Sequence, residues 1–109
     1  MSEGALQDAI RVALSSEPDL VLWRNNVGVA LHERGARVRY GLAPGSADLI
    51  GCLAGRFVAL EVKTATGRLS PDQRSWALVV RRFGGFVAVV RSVDEARAAI
   101  ARAREGALE

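Results

Sequence analysis

Three side chains stand out for what they would do together: Asp48, Glu61 and Lys63. Lys63 is the only lysine beside fourteen arginines. A composition that writes positive charge as Arg almost everywhere has kept one ammonium, the compact and titratable point charge that a guanidinium is not. Glu61 lies two positions earlier, on a run from Phe57 to Lys63 that reads as a strand. Side chains alternate along a strand, so Glu61 and Lys63 point to one face about 6.6 Å apart. Phe57 and Ala59 share that face, and Val58, Leu60 and Val62 line the other. Asp48 to Leu53 is a second strand-like run, and only Ala54-Gly55-Arg56 separates the two, which predicts an antiparallel hairpin. With Ala54-Gly55 as a two-residue loop, Leu53 pairs with Arg56 and Asp48 sits directly opposite Glu61, their Cβ atoms about 5 Å apart. One residue more in the loop leaves Asp48 diagonal to Glu61.

Two carboxylates so placed repel unless one is protonated or a cation lies between them. A hard divalent ion such as Mg²⁺ takes a site built from one or two carboxylates and leaves its other positions to water and phosphate. Such an ion acidifies its bound water and polarises a phosphoryl oxygen. Lys63 would then position or deprotonate the attacking water, and the backbone carbonyl of Val62 would add an oxygen ligand. Gln73 shares a helical stripe with Trp76, Ala77 and Val80, so it faces inward and suits an orienting role. Glu3 would approach from the first helix. With seven Glu in 109 residues, the sole Lys has a roughly 6% chance of a Glu two positions before it, so the spacing carries information that a lone carboxylate does not.

The elements that must position these residues follow from periodicity and punctuation. Leu6, Ala9, Ile10, Ala13 and Leu14 recur at helical spacing after Ser2 as N-cap, and Glu17-Pro18-Asp19 ends that helix. Leu20 to Trp23 reads as a strand, Arg24 to Gly28 as a polar turn, and Val29 to Gly35 is unassigned. Arg37-Val38-Arg39-Tyr40 alternates basic with apolar, predicting a strand with one wet face. Gly41 to Ser46 and Thr64 to Leu69 are loops. Ser70-Pro71-Asp72-Gln73 opens a helix with Ser as N-cap, Pro at its first position and Gln completing a capping box. Its apolar stripe runs Trp76, Ala77, Val80 and Phe83 to the stop at Gly84-Gly85. Phe86 to Val90 predicts a buried strand. Ser92 to Glu95 is a second capping box, opening a helix along Val93, Ala96, Ile100 and Ala103. The order is roughly α-β-β-β-β-α-β-α, an α/β chain with a mixed sheet flanked by helices.

Composition narrows the classes. The chain is 109 residues long, half of them apolar, which suits one domain over residues 1–109. No apolar run reaches the ~20 residues of a bilayer span, and Met1-Ser2-Glu3-Gly4 lacks the features of a signal peptide. One cysteine, Cys52, makes no internal disulfide and no four-thiolate zinc site, so the expectation is an intracellular, reducing compartment. Cys52 and Trp76 read as core, Trp23 as core or as a base-stacking surface, and the lone His32 has no evident role. A net charge of +3 favours a polyanionic partner. Arg39 and Arg68, on or near the loops bordering the proposed site, are the preferred phosphate contacts.

The run Gly41-Leu42-Ala43-Pro44-Gly45-Ser46-Ala47-Asp48-Leu49-Ile50-Gly51, with Phe57 to Lys63 and Ser70 to Gln73, resembles the VRR-NUC (virus-type replication-repair nuclease) family of the PD-(D/E)xK nuclease superfamily. The resemblance covers nearly the whole chain, with the first helix and Arg24-Asn25-Asn26 also fitting. It departs in one place, where Ala47 rather than Pro precedes Asp48. It implies a restriction-endonuclease-like core and Mg²⁺- or Mn²⁺-dependent hydrolysis of DNA phosphodiesters. Asp48 and Glu61 match the metal carboxylates, Lys63 the catalytic lysine, Gln73 the helix glutamine and Glu3 the helical acidic residue. Members of this size are similar to small viral or phage proteins that dimerise and act on branched DNA such as four-way (Holliday) junctions, which implies a C₂ homodimer in a bacterium or bacterial host. The competing reading is a non-catalytic nucleic-acid or protein-binding module on the same scaffold.

Overall fold

The computed structural model describes residues 1–109. Its elements run α1 (Glu3–Leu14), β1 (Leu20–Arg24), β2 (Gly28–Leu31), β3 (Arg37–Tyr40), β4 (Leu49–Leu53), β5 (Arg56–Val62), α2 (Pro71–Arg82), β6 (Phe86–Val90) and α3 (Val93–Arg104). The chain is α/β with a mixed sheet flanked by helices, as the patterning predicts. One strand is added: β2 takes Gly28 from the expected turn and Val29 to Leu31 from the unassigned stretch. Four strands make the main sheet in the order β1-β4-β5-β6, and β2 pairs only with β3.

The β4–β5 hairpin takes the two-residue loop. Leu53 pairs with Arg56 and Leu49 with Leu60, and Ala54 and Gly55 have φ of 50° and 85°. Positive φ at both central residues is what a type I′ turn requires, and its twist matches that of the strands it joins. β5 continues through α2 into β6, which returns parallel to it, because a parallel neighbour needs a crossover long enough to span the sheet.

Each face of the sheet is covered differently. Ser2 caps α1 by accepting from the Ala5 amide, and Leu6, Ile10 and Leu14 then fall on one helical stripe. That stripe and the Ala96, Ala99, Ile100 and Ala103 stripe of α3 pack on Leu49, Val58, Leu60, Val62, Phe86 and Val90. On the opposite face, α2 lays Ala77 against Ala47, Ala59 and Val87, small residues that let helix and sheet approach closely. Trp76 closes this layer edge-to-face on Phe57, with ring centroids 6.2 Å apart. β1 lies tight against β4 because Gly51 has no side chain there: a Cβ would collide with the Val21 carbonyl.

Three expectations change. β3 has two wet faces rather than one, since all four of its residues are exposed and its only partner is β2. Phe83 leaves the α2 stripe and is 82% exposed, because it stands at the helix C-cap, beyond the last turn that faces the sheet. At α3, the Ser92 side chain accepts from the Glu95 amide, but Glu95 accepts from Arg91 rather than from the cap residue. No helix is long and apolar enough to cross a membrane.

Leu60 is fully buried and Leu31 is 75% exposed on the β2–β3 ribbon. Leu60→Ala is expected to cost about 2–5 kcal/mol in urea unfolding, and Leu31→Ala less than about 0.5 kcal/mol. Comparable losses at the two positions would mean that the ribbon belongs to the folded core.

Candidate active site

Asp48 immediately precedes Leu49, whose partner Leu60 immediately precedes Glu61, and the Asp48 carboxylate acts on Glu61 through a hydrogen bond and its charge. Each carboxylate is held by a neutral donor from another part of the chain. Asp48 Oδ2 accepts the Val62 amide at 2.8 Å. Glu61 Oε1 accepts Gln73 Nε2 at 3.2 Å. Asp48 Oδ1 and Glu61 Oε2 receive no N–H. In an extended strand the N–H and C=O of one residue leave toward the same neighbour, so the carbonyl of Val62 emerges on the Asp48 side of β5.

Gln73 serves two neighbours at once. Its Oε1 accepts the Ser70 amide at 2.8 Å and its own amide donates to Ser70 Oγ at 3.2 Å, the capping box that starts α2. With the amide oxygen so occupied, the NH₂ group is left to face Glu61. The cap therefore fixes both the start of the helix and the orientation of the amide that touches the acid. Gly45 brings the preceding loop against this helix start. Its φ is +83° and a Cβ would collide with the Asp72 backbone, so no L side chain fits.

Glu61 is 3% exposed, the one polar or charged residue among those fully buried. Burial pushes its pKa up from 4.5 to about 9, helped by the hydrogen bond and the charge of Asp48. The Lys63 ammonium pulls the other way, and Glu3 adds a further push upward. Lys63, half-buried one pleat beyond Glu61, is tied at its amide to the Val90 carbonyl at 3.1 Å.

The structure thus brings Asp48, Glu61 and Gln73 together with Lys63 beside them. Glu3 is near enough to act on Glu61 through charge, but no three His, Cys, Asp or Glu residues form a metal-ligating group. Arg39 stands on the exposed β3 and Arg68 is exposed in the loop after Lys63; neither hydrogen-bonds to the carboxylates. His32 closes the ribbon turn, its amide donating to Ala36 O and its Nδ1 accepting from the Arg34 amide.

Two positioning residues escape the sequence reading. Asn25 donates its amide to Asp48 O at 2.8 Å and its Nδ2 to Ser46 Oγ and Ala47 O at 2.7 and 2.9 Å. Arg91 Nη1 donates to Thr64 O and Gly67 O at 2.6 and 2.7 Å, holding the loop that follows Lys63. The only sequence signal is a polar residue at a strand end, and its partners lie more than twenty residues away.

The donor set fits a hard divalent cation. Two facing carboxylates, each with an oxygen that receives no N–H, are the ligands Mg²⁺ uses when phosphate and water fill its other positions. A cation there would take the place of the proton that burial and Asp48 favour on Glu61. None of the concave pockets includes Asp48, Glu61 or Lys63.

Comparison with curated proteins gives no match. The family model described as the VRR-NUC domain matches residues 3–94, a span that runs from α1 through the carboxylates, Lys63 and Gln73 into the start of α3. Over most of its length, then, and with a nuclease-type domain as the consequence, the chain belongs to the VRR-NUC domain family.

Proposed function

We propose that this chain is a Mg²⁺-dependent endodeoxyribonuclease, with Mn²⁺ as a substitute, that hydrolyses phosphodiester bonds in branched DNA such as four-way junctions. One observation carries the reading: a buried Glu61 pressed against Asp48 at the open end of the β4–β5 hairpin, with an ammonium alongside. A chain that only binds nucleic acid gains nothing from paired carboxylates turned toward a polyanion, which weakens the binding-module reading.

Asp48, Glu61 and the Val62 carbonyl would hold the metal. When bound, it polarises a phosphoryl oxygen and acidifies water. The protein's own residues do the rest. Val62 N–H and Asn25 fix Asp48, and Gln73 fixes Glu61, so both carboxylates are oriented before substrate arrives. Lys63 Nζ offsets charge on the phosphate and holds or takes the proton of the attacking water. Arg39 and Arg68 contact flanking phosphates, and Glu3 adjusts the charge at the margin. In-line attack would leave a 5′-phosphate and a 3′-hydroxyl, by the family resemblance. Residues 1–109 act as one catalytic unit, and cutting two strands of a junction calls for two such units in a C₂ homodimer.

Cleavage of end-labelled four-way junctions in Mg²⁺ tests this. Asp48→Ala and Lys63→Ala are each expected to lower turnover by at least roughly 10²-fold, and EDTA to abolish it reversibly. Turnover equal to wild type in both variants would end the proposal.

A second expectation concerns pH. The folded-state pKa of Glu61 lies above its ordinary value, so its contribution to stability is present below 4.5 and is lost as pH rises toward 9. In metal-free buffer, the melting temperature of Glu61→Gln minus that of wild type should therefore widen from pH 5 to pH 9. Millimolar Mg²⁺ should narrow it, because metal binding displaces the proton. A difference independent of pH would show that Glu61 does not hold a proton in the folded protein.

A further inference from the structure

The β2–β3 ribbon leaves the body where Asn25 meets Asp48, at the active-site edge of the sheet. Every residue from Val29 to Pro44 is exposed, so the ribbon contributes nothing to the core. Its register pairs Val29 with Arg39 and Leu31 with Arg37. Directly opposed residues of an antiparallel pair share a face, so one face carries Val29, Leu31, Arg37 and Arg39. The opposite face is apolar, with the Tyr40 ring lying where a side chain on Gly28 would stand.

The Arg-bearing face has no acidic residue to neutralise it. Between Asp19 and Asp48 the only acid is Glu33, at the ribbon tip, against Arg24, Arg34, Arg37 and Arg39. None of Arg34, Arg37 and Arg39 takes part in an ion pair. A second copy seated on this face by twofold symmetry would crowd guanidiniums together with no carboxylate between them, a desolvation and repulsion cost that nothing on the face offsets. A polyanion removes that cost. The major groove of B-DNA, ~12 Å wide, admits a two-stranded ribbon. Arg reads guanine O6 and N7 there, and aliphatic side chains meet thymine methyls.

We propose that the β2–β3 ribbon enters the major groove of the duplex flanking the scissile phosphate, with the Arg37 and Arg39 face against the bases and phosphates. The proposal rests on the nuclease reading for its choice of partner. Strands of four residues reach ~13 Å from the ribbon base, less than one ~34 Å helical turn from the carboxylates.

The test is fluorescence anisotropy of a labelled 30-base-pair duplex with the full chain in EDTA, over a range of salt, with dimethyl sulfate protection of guanine N7 as a second readout. Arg37→Ala/Arg39→Ala should bind about tenfold more weakly near 0.1 M salt and lower the slope of log K against log salt by about two. It should also lose the N7 protection that wild type gives. Arg97→Ala/Arg102→Ala removes the same charge from α3 and should do neither, and Arg37→Lys/Arg39→Lys should keep the salt slope. Binding by the alanine pair equal to wild type, or weakened no more than by the α3 control, overturns the proposal. So does wild-type binding without N7 protection, or sedimentation showing that the alanine pair loses affinity only because a dimer dissociates. Wild type that binds through the ribbon yet shows no metal-dependent cleavage ends the nuclease reading alone. Metal-dependent cleavage with unchanged binding by the alanine pair ends the ribbon proposal alone.

Discussion

A carboxyl group shut away from water and set against a second carboxyl is the constraint around which this sheet end is arranged. Burying a charge is costly unless it is paired, and leaving two like charges adjacent adds to that cost. The neighbours of Glu61 and Asp48 lower the cost without removing it. A strand amide and a glutamine amide each satisfy one oxygen, and the nearest cation, Lys63, only partly offsets burial. In the absence of any other cation, a proton on Glu61 relieves the pair, which is why its pKa is pushed up to about 9, and the fold supplies the stability that the site itself does not.

That stability comes from the other face of the sheet. The core between α1, α3 and the sheet is the larger, setting leucines, isoleucines, valines and Phe86 against the alanines of α3, and the layer under α2 is mainly alanines and valine. The division suits the two tasks. Aliphatic bulk stabilises in proportion to the apolar area it removes from water. Small residues let α2 sit close enough for a residue in its first turn to touch β5. Because the helix cap and the acid share Gln73, the start of α2 and the geometry of Glu61 are set by the same amide.

The β2–β3 ribbon shows the opposite economy. It departs after Asn25 and returns before Asp48, and Asn25 ties the two ends together. The excursion can therefore vary in shape without moving the aspartate. An isolated two-stranded ribbon is only marginally stable in water, and this one leaves Val29, Leu31, Val38 and Tyr40 exposed.

What local chemistry encodes could be read directly. The register that pairs Leu49 with Leu60, and so brings Asp48 beside Glu61, follows from a two-residue turn and the alternation of a strand, both properties of adjacent residues. Caps at Ser2 and Ser70 and the helical stripes are legible for the same reason. The α/β class and the family resemblance rest on those patterns. Other features were open in the sequence because they depend on what lies across the gap. Gln73 reads equally well as a cap or as an inward amide, and only the seating of α2 on the sheet lets one side chain be both. The polarity of Arg37 to Tyr40 predicts a covered face, but pairing with β2 alone leaves none. Asn25 and Arg91 carry no spacing that names their partners, since those contacts close loops of more than twenty residues. Spacing along a chain determines which face a side chain takes; only the packing of distant segments determines what that face meets, and so how far Glu61 is cut off from water.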